Sequence, residues 1–193
     1  MGKRDLQKEE RRQQILNCSL DLIITRGYDA MKIRDIADRL GISIGLFFNY
    51  FSSKENVYEE LVKIGISGPQ SLMQFDINQV DHPIELFSNI TYAVFEYVRS
   101  DSFVAKMFIL MSQTINNEFV PESVKTIAST FDAYTPLVPV IEKGQRQGEI
   151  KQGNPLALII TYWSAIQGIA EIIAVHPELP IPEPEWIVDI LRS

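Results

Sequence analysis

Side chains able to do acid–base, nucleophilic or metal chemistry are few in this chain and far apart. His82 and His176 are its two histidines, and neither has a nucleophile motif or a ligand partner nearby. Histidines so isolated pack or cap; they rarely make a site. Cys18 is the one cysteine, so neither an intrachain disulfide nor a cysteine-rich metal site can form. No glycine loop of the phosphate-cradling kind is present. These absences argue against an enzyme and imply no cofactor and no metal. What chemistry the residue types do offer is cationic and gathered at one end. Up to residue 55 there are ten Lys and Arg against eight Asp and Glu, and beyond it eight against seventeen. The chain is acidic as a whole, with net charge −7, so any polyanion must be met by a small basic head on an acidic body. A set of solvated helix faces would leave the same weak excess.

The elements that would carry those cations are helical. The chain has 193 residues, 46 % apolar and 22 % charged, which suits a globular core of ordinary size. Leu16, Leu20 and Ile23 set a helical stripe over Leu6 to Arg26, and Gly27 stops it. Ile33, Ile36, Ala37 and Leu40 fall at i, i+3, i+4 and i+7 of a second, short helix ended by Gly41. Ser43 can cap a third, running to about Tyr50. Ser52 with Glu55 has the spacing of a capping box opening a fourth. Two short amphipathic helices joined through Gly41-Ile42-Ser43 form the helix-turn-helix pattern, whose later helix enters the major groove of DNA. That third helix is strongly aromatic. Phe47 and Phe51, at i and i+4, suit the inner side.

Residues 27 to 55, "GYDAMKIRDIADRLGISIGLFFNYFSSKE", resemble the amino-terminal domain of the TetR family of bacterial transcriptional regulators. Gly27, Tyr28, Asp35, Ile36, Ala37, Gly41, Ser43, Gly45, Tyr50, Phe51, Ser53, Lys54 and Glu55 match the family pattern. The resemblance covers the first third of the chain; the rest agrees by length and helical character. It implies an all-α protein. Residues 1–53 would form a three-helix DNA-binding head, and 54–193 a larger helical body for ligand binding and dimerisation. It implies a cytoplasmic regulator, usually a repressor, that binds a palindromic site in double-stranded DNA and is released by a small, largely apolar effector.

The departures from the pattern lie on the DNA side. Met31-Lys32 stands where the family has two threonines, Ile44 where it has lysine, Leu46 where it has threonine, and Phe48 where it has tyrosine. Lys32 can still reach a phosphate. Loss of a hydroxyl and an ammonium weakens the grip on the backbone and flattens its salt dependence. Either Ile44 and Leu46 touch thymine methyl groups, or the chain is a ligand-sensing or protein-binding helical dimer with weakened DNA affinity. Left for DNA are Arg34, Ser43, Asn49, Tyr50 and Lys54, with Lys3, Arg4 and Lys8 on a flexible leading arm. Asn49 is the candidate for a base edge, because an amide pairs with adenine. Tyr50 either stacks on the backbone or packs within the head.

In the body, Gly65, Gly68 and Pro69 are expected to end or kink the fourth helix, and Pro83 to start the next. The run 156–175 has the length of a membrane span but contains Glu171 and Gln167. It reads as a helix buried by protein, with no membrane partner. Small residues Ala157, Thr161, Ser164, Ala165 and Gly168 line up along it. They suit close approach of a second copy, the alternative being an internal core helix. The resemblance further implies a pocket in the body, for which Phe103, Met107, Met111, Phe131, Tyr134, Tyr162, Trp163 and Gln167 are candidate linings; as plain core they would look the same. "MGKRDLQKEERRQQ" has no apolar stretch, so no secretory leader is expected.

Overall fold

The computed structural model describes residues 2–193 and contains ten α-helices among them. They are α1 (Lys3–Arg26), α2 (Ile33–Leu40), α3 (Ile44–Phe48), α4 (Lys54–Leu72), α5 (Pro83–Ser100), α6 (Ser102–Asn116), α7 (Glu122–Ala128), α8 (Val138–Gln147), α9 (Pro155–Val175) and α10 (Pro184–Val188). Short 3₁₀ turns span Ile77–Gln79 and Thr135–Leu137. No strand occurs among the described residues, only one isolated antiparallel bridge, Ile150 to Arg192. The all-α expectation therefore holds.

The helices fall into two compact units, one running up to Ile66 and including Ile109–Thr130, the other comprising Ser67–Phe108 and Phe131–Ser193. In the first unit, Ile15, Leu16, Leu20, Leu22 and Ile23 of α1 are buried with Ile36, Phe47, Phe51, Val57, Leu61 and Val62. Residues of α6 belong to this unit as well. Thr114 Oγ1 lies 2.9 Å from the Tyr58 hydroxyl, and burial raises that phenol's pKa, keeping it protonated. The Gln113 amide donates to the Ile24 carbonyl at 3.4 Å.

In the second unit the core lies among α5, α8, α9 and α10. Phe87, Ile90, Val94 and Val98 meet Val140, Ile141, Ile159, Tyr162, Ile166 and Ile187. The Tyr162 hydroxyl donates to the Phe87 carbonyl at 3.2 Å and lies 2.7 Å from Thr91 Oγ1. Burial pushes its pKa far up, so it stays a neutral donor. The chain end is tied in: Lys151 N–H donates to Leu191 O at 2.9 Å and Ser193 N–H to Glu149 O at 3.1 Å. Both histidines sit at helix caps, His82 before α5 and His176 after α9. Glu149 accepts from Ile84 N–H at 3.2 Å and pairs with His82 Nδ1 at 2.9 Å, which raises the imidazole pKa.

Several boundaries differ from expectation. The leading arm is helical from Lys3, begun by Asp5, whose carboxylate accepts the Gly2 N–H at 3.0 Å. The cap of α4 is Ser53, which accepts from Asn56 N–H at 3.0 Å, not Ser52. That start brings Val57, Tyr58, Leu61 and Val62 onto the buried side. α4 continues through Pro69 instead of stopping there, because a proline in a last turn forfeits one bond and has little helix beyond it to kink. Pro139 opens α8, and the last helix is Pro184–Val188, started by its own proline. As expected, Asn154 caps α9, accepting from Ala157 N–H at 3.0 Å, with Pro155 following.

α9 is the outlier in burial. By length and composition it could cross a membrane, yet only 33 % of its apolar window is buried. Ile159, Tyr162, Ile166, Ala170 and Ile173 form the covered stripe. Leu156, Ile160, Ile172 and Val175 stand 44–62 % exposed. Burial all round is thus not achieved within one chain, since the neighbouring helices reach one side of it only.

Gly144 of α8 marks a tight contact. A Cβ there would lie 2.5 Å from Ile150 Cδ1 and 3.1 Å from Pro83 Cβ. In an open helix Gly→Ala stabilises by about 1 kcal/mol; here Gly144→Ala should instead destabilise by about 1–3 kcal/mol from overpacking, read as a lower urea midpoint at unchanged slope.

Candidate nucleic-acid interface

The turn between α2 and α3 fixes the geometry of the head. Gly41 adopts the left-handed conformation, with φ 62° and ψ 36°, which a glycine takes without a Cβ clash. Ile42 N–H donates to Ala37 O at 3.0 Å and Gly41 N–H to Asp38 O at 3.4 Å, the paired bonds of a Schellman stop. Ser43 then caps α3, its Oγ accepting from Leu46 N–H at 3.0 Å. At the other end of α2, Asp35 accepts the Lys32 N–H at 3.1 Å. Lys32 therefore begins the helix with its side chain exposed, although it cannot cap.

α3 is five residues long, too short to hold a helix alone. Its regular part ends at Phe48, with a turn through Asn49 and Tyr50, because Asn49 N–H and Tyr50 N–H reach back to Leu46 and Phe47 carbonyls at 3.1 and 2.9 Å. Phe47 and Phe51 are 0 % and 2 % exposed, whereas Ile44 and Phe48 are 38 % and 50 % exposed. Phe48 leans edge-on against Phe47, centroids 5.6 Å apart. The outer side thus presents Ser43, Ile44, Gly45, Phe48 and Asn49, with Leu46 half-buried beside them. An apolar ridge with one amide at its end is matched to methyl groups and one base edge better than to phosphates.

Of the cations expected to meet DNA, Lys3, Arg4, Lys32 and Arg34 are exposed. A surface cleft brings Lys8 and Arg12 of α1 beside Asn49 and Tyr50, with Asp5 and Glu9 on the same wall. Arg12 was not singled out from sequence. It pairs with Glu60 and lies over the Phe51 ring at 5.2 Å, a contact that no local spacing reveals.

Lys54 departs from the expectation of a DNA contact. Its ammonium donates to the Tyr28, Met31 and Asp29 carbonyls at 3.0, 3.3 and 3.4 Å and stands 4.2 Å from the Tyr28 ring centre. All three donors point into the loop before α2, so its charge closes the head.

The other expected sites are dispersed. Of the eight candidate pocket residues, Met111 belongs to the first unit and the other seven to the second. Tyr162 and Met107 are buried, Tyr134 is exposed, and the Gln167 amide bonds Glu171 at 3.0 Å. Trp163 Nε1 is buried with no hydrogen-bond partner among the described residues. None of the eight lines the cleft of about 570 Å³ in the second unit, whose walls include Val98, Arg99, Lys106 and Ile173. Among the small residues of α9, Ala157, Thr161 and Ser164 are exposed, and Ala165 and Gly168 half-buried.

Residues 15–61 match the family model described as bacterial regulatory proteins, tetR family. The HTH-type transcriptional regulator LuxR of Vibrio harveyi is 27 % identical over 117 residues, 61 % of this chain and 57 % of its own. The HTH-type transcriptional repressor KstR2 of Mycolicibacterium smegmatis is 29 % identical over 92 residues, 48 % of this chain and 45 % of its own. The chain thus spans about half the length of these curated relatives. The crystal structure of the transcriptional regulator FadR of Bacillus subtilis in complex with stearoyl-CoA superposes with TM-score 0.67 at 18 % identity, over 94 % of this chain and 97 % of that one.

The geometry separates two kinds of cation. Lys54→Gln should lower head stability by about 1–2 kcal/mol through the unpaired carbonyls and leave the slope of log affinity against log salt unchanged. Lys32→Gln should leave stability alone and reduce that slope by about one per head. Thermal melts and a salt series in fluorescence anisotropy check both.

Proposed function

The chain belongs to the TetR family of bacterial regulatory proteins, and on that premise we propose that it is a ligand-responsive, DNA-binding transcriptional regulator. It acts in the cytoplasm as a repressor, not as an enzyme. As a homodimer it binds a palindromic operator and is released by a small, largely apolar effector. The observation that carries this reading is the α2–α3 unit: a glycine stop, a serine cap, and Phe47 and Phe51 turned inward so that Ile44, Phe48 and Asn49 face out. Asn49 makes the base-edge contact with adenine, and Ile44 and Leu46 lie against thymine methyls. Lys3, Arg4, Lys32 and Arg34 set the register on phosphates, with Ser43 and Tyr50 beside them.

The exposed side of α9 supports the dimer. Four large aliphatic side chains on one helix are left 44–62 % open, an arrangement water disfavours, and a Cβ added to Gly168 would touch nothing within 4 Å. A symmetry mate packed along Ala157, Thr161, Ser164, Ala165 and Gly168 would cover them. Two heads would then meet successive major grooves about 34–36 Å apart. The FadR complex with stearoyl-CoA supports an effector with a large apolar part.

One feature favours a second reading. With Ile44 and Phe48 exposed on α3, a body that senses ligand while its head holds DNA weakly would present the same surface. Binding to duplexes from upstream of its own gene, followed by anisotropy, separates the two. We expect affinity that Asn49→Ala lowers by about 1–3 kcal/mol per half-site. Ile160→Glu should give a folded monomer by sedimentation and weaken operator binding tenfold or more. Absence of binding at low salt to every upstream duplex favours the second reading.

A further inference from the structure

Asp5, Lys8, Glu9 and Arg12 fall at i, i+3, i+4 and i+7 of α1 and line the surface cleft they share with Asn49 and Tyr50. Asp5, Lys8 and Glu9 are exposed, and Arg12 is half-buried. The Arg12 guanidinium is engaged on two sides. It donates to Glu60 Oε2, and it lies over the Phe51 ring, 5.2 Å from the centre. Glu60 is fixed in turn: its other oxygen accepts from Lys63 Nζ at 3.1 Å. Partial burial opposes the charge on Glu60, but the bonds from Lys63 and Arg12 outweigh it and hold its carboxyl below the usual range. Glu60 is therefore charged at neutral pH. Phe51 carries the contact onward. Its ring stands 6.1 Å from that of Phe47, and its N–H donates to the Phe47 carbonyl at 3.1 Å. Asn49 and Tyr50 lie in the turn between these two phenylalanines, so a restraint on Phe51 restrains them. All of these residues belong to the first unit.

The geometry points to Arg12 and Glu60 as positioning residues for DNA recognition: held between α1 and α4, they fix the Phe51 ring and so the direction in which Asn49 meets a base edge. The inference rests on the DNA-binding reading above and adds to it how the base-edge contact is kept in register. A carboxylate in a DNA-binding head ordinarily lowers affinity, because it repels phosphates. Glu60 is expected to do the opposite at the operator, since without it the guanidinium loses its orientation over the ring. Arg12 likewise acts through Phe51 and not on a phosphate, its charge being met by Glu60. A half-buried pair is screened little by salt, so its effect is on sequence discrimination and not on salt response.

The test uses the full chain and two duplexes, one from upstream of its own gene and one of scrambled sequence and equal length, followed by anisotropy over a salt series. Arg12→Gln and Glu60→Ala should each lower affinity for the upstream duplex by about tenfold, with the double variant no weaker than either. Both should leave the scrambled duplex unchanged within about threefold and the slope of log affinity against log salt unaltered. Asn49→Ala should cost about threefold less in the Arg12→Gln background than in the native chain, a coupling that a contact serving stability alone would not produce. If Arg12→Gln instead lowers the slope by about one per head and Glu60→Ala tightens both duplexes, Arg12 is a phosphate contact and the inference is overturned. Amide hydrogen exchange reads the same geometry without DNA. Protection of the Tyr50 and Phe51 amides should fall by about tenfold in both variants, and that of Ile42, bonded to the Ala37 carbonyl, should not change. Unchanged protection at Tyr50 and Phe51 overturns the inference whether or not DNA is bound. If protection falls as stated but the native chain binds no upstream duplex at low salt, the DNA-binding reading fails and the hold on the Asn49 turn stands.

Discussion

The orientation of α3 depends on the burial of Phe47 and Phe51. A helix of five residues gains too little from its own hydrogen bonds to persist in water, so its direction is decided by what it buries. Two phenyl rings removed from water supply several kcal/mol, at about 25 cal/mol for each Å² of apolar area. No local propensity in "IGLFF" competes with that. The left-handed Gly41 and the Ser43 cap permit the angle; the rings enforce it. Because side chains on a helix are locked in relative direction, fixing Phe47 inward also fixes which residues face out. Ile44 and Phe48 are exposed as a consequence of that register, and Asn49 marks its end.

Lys54 and Arg12 hold the same register from behind. Lys54 binds the loop before α2 by three carbonyls, and Arg12 joins α1 to Glu60 of α4 across the Phe51 ring. In both, a cation is consumed in closing a small core. A head of this size has little apolar area to bury, so long side chains contribute both packing of their stems and charge-assisted bonds at their tips. This leaves the exposed cations of α1 and α2 as the ones with charge directed to solvent.

Much of this was legible in sequence where local rules apply. Gly41, Ser43, Pro83 and Asn154-Pro155 each signal a helix end by their own chemistry, and each holds in the structure. Phe47 and Phe51 followed from i, i+4 spacing. What sequence did not yield depends on partners distant in the chain. Lys54 looks like a phosphate contact until the Tyr28 loop lies beneath it. Ser52 and Ser53 are equivalent as caps until Val57 and Tyr58 choose the phase. Pro69 reads as a stop or a kink because the rule against it describes helix interiors, not last turns. The candidate pocket was the least legible part. Aromatic and methionine residues fill cores and line cavities alike, and composition carries no sign of which.

The weak charge of the head and the bare side of α9 bear on the same problem. A net of two positive charges up to residue 55 gives one head little long-range attraction to a polyanion. An apolar ridge on α3 adds contacts that salt does not screen, but only where methyl groups are in register with it. Joining two such heads rigidly makes the second contact intramolecular, and the gain is limited by whether their spacing matches the groove repeat. Two heads joined as proposed would be sensitive to small changes of spacing, because simultaneous engagement would supply most of the affinity. An effector then needs to favour another spacing by only a few kcal/mol to abolish binding. Strong phosphate clamps on each head would blunt that response. In a dimer of that kind, Ile44 and Phe48 in place of phosphate-binding side chains would lower the affinity of the single head and raise the share of binding open to control by a ligand.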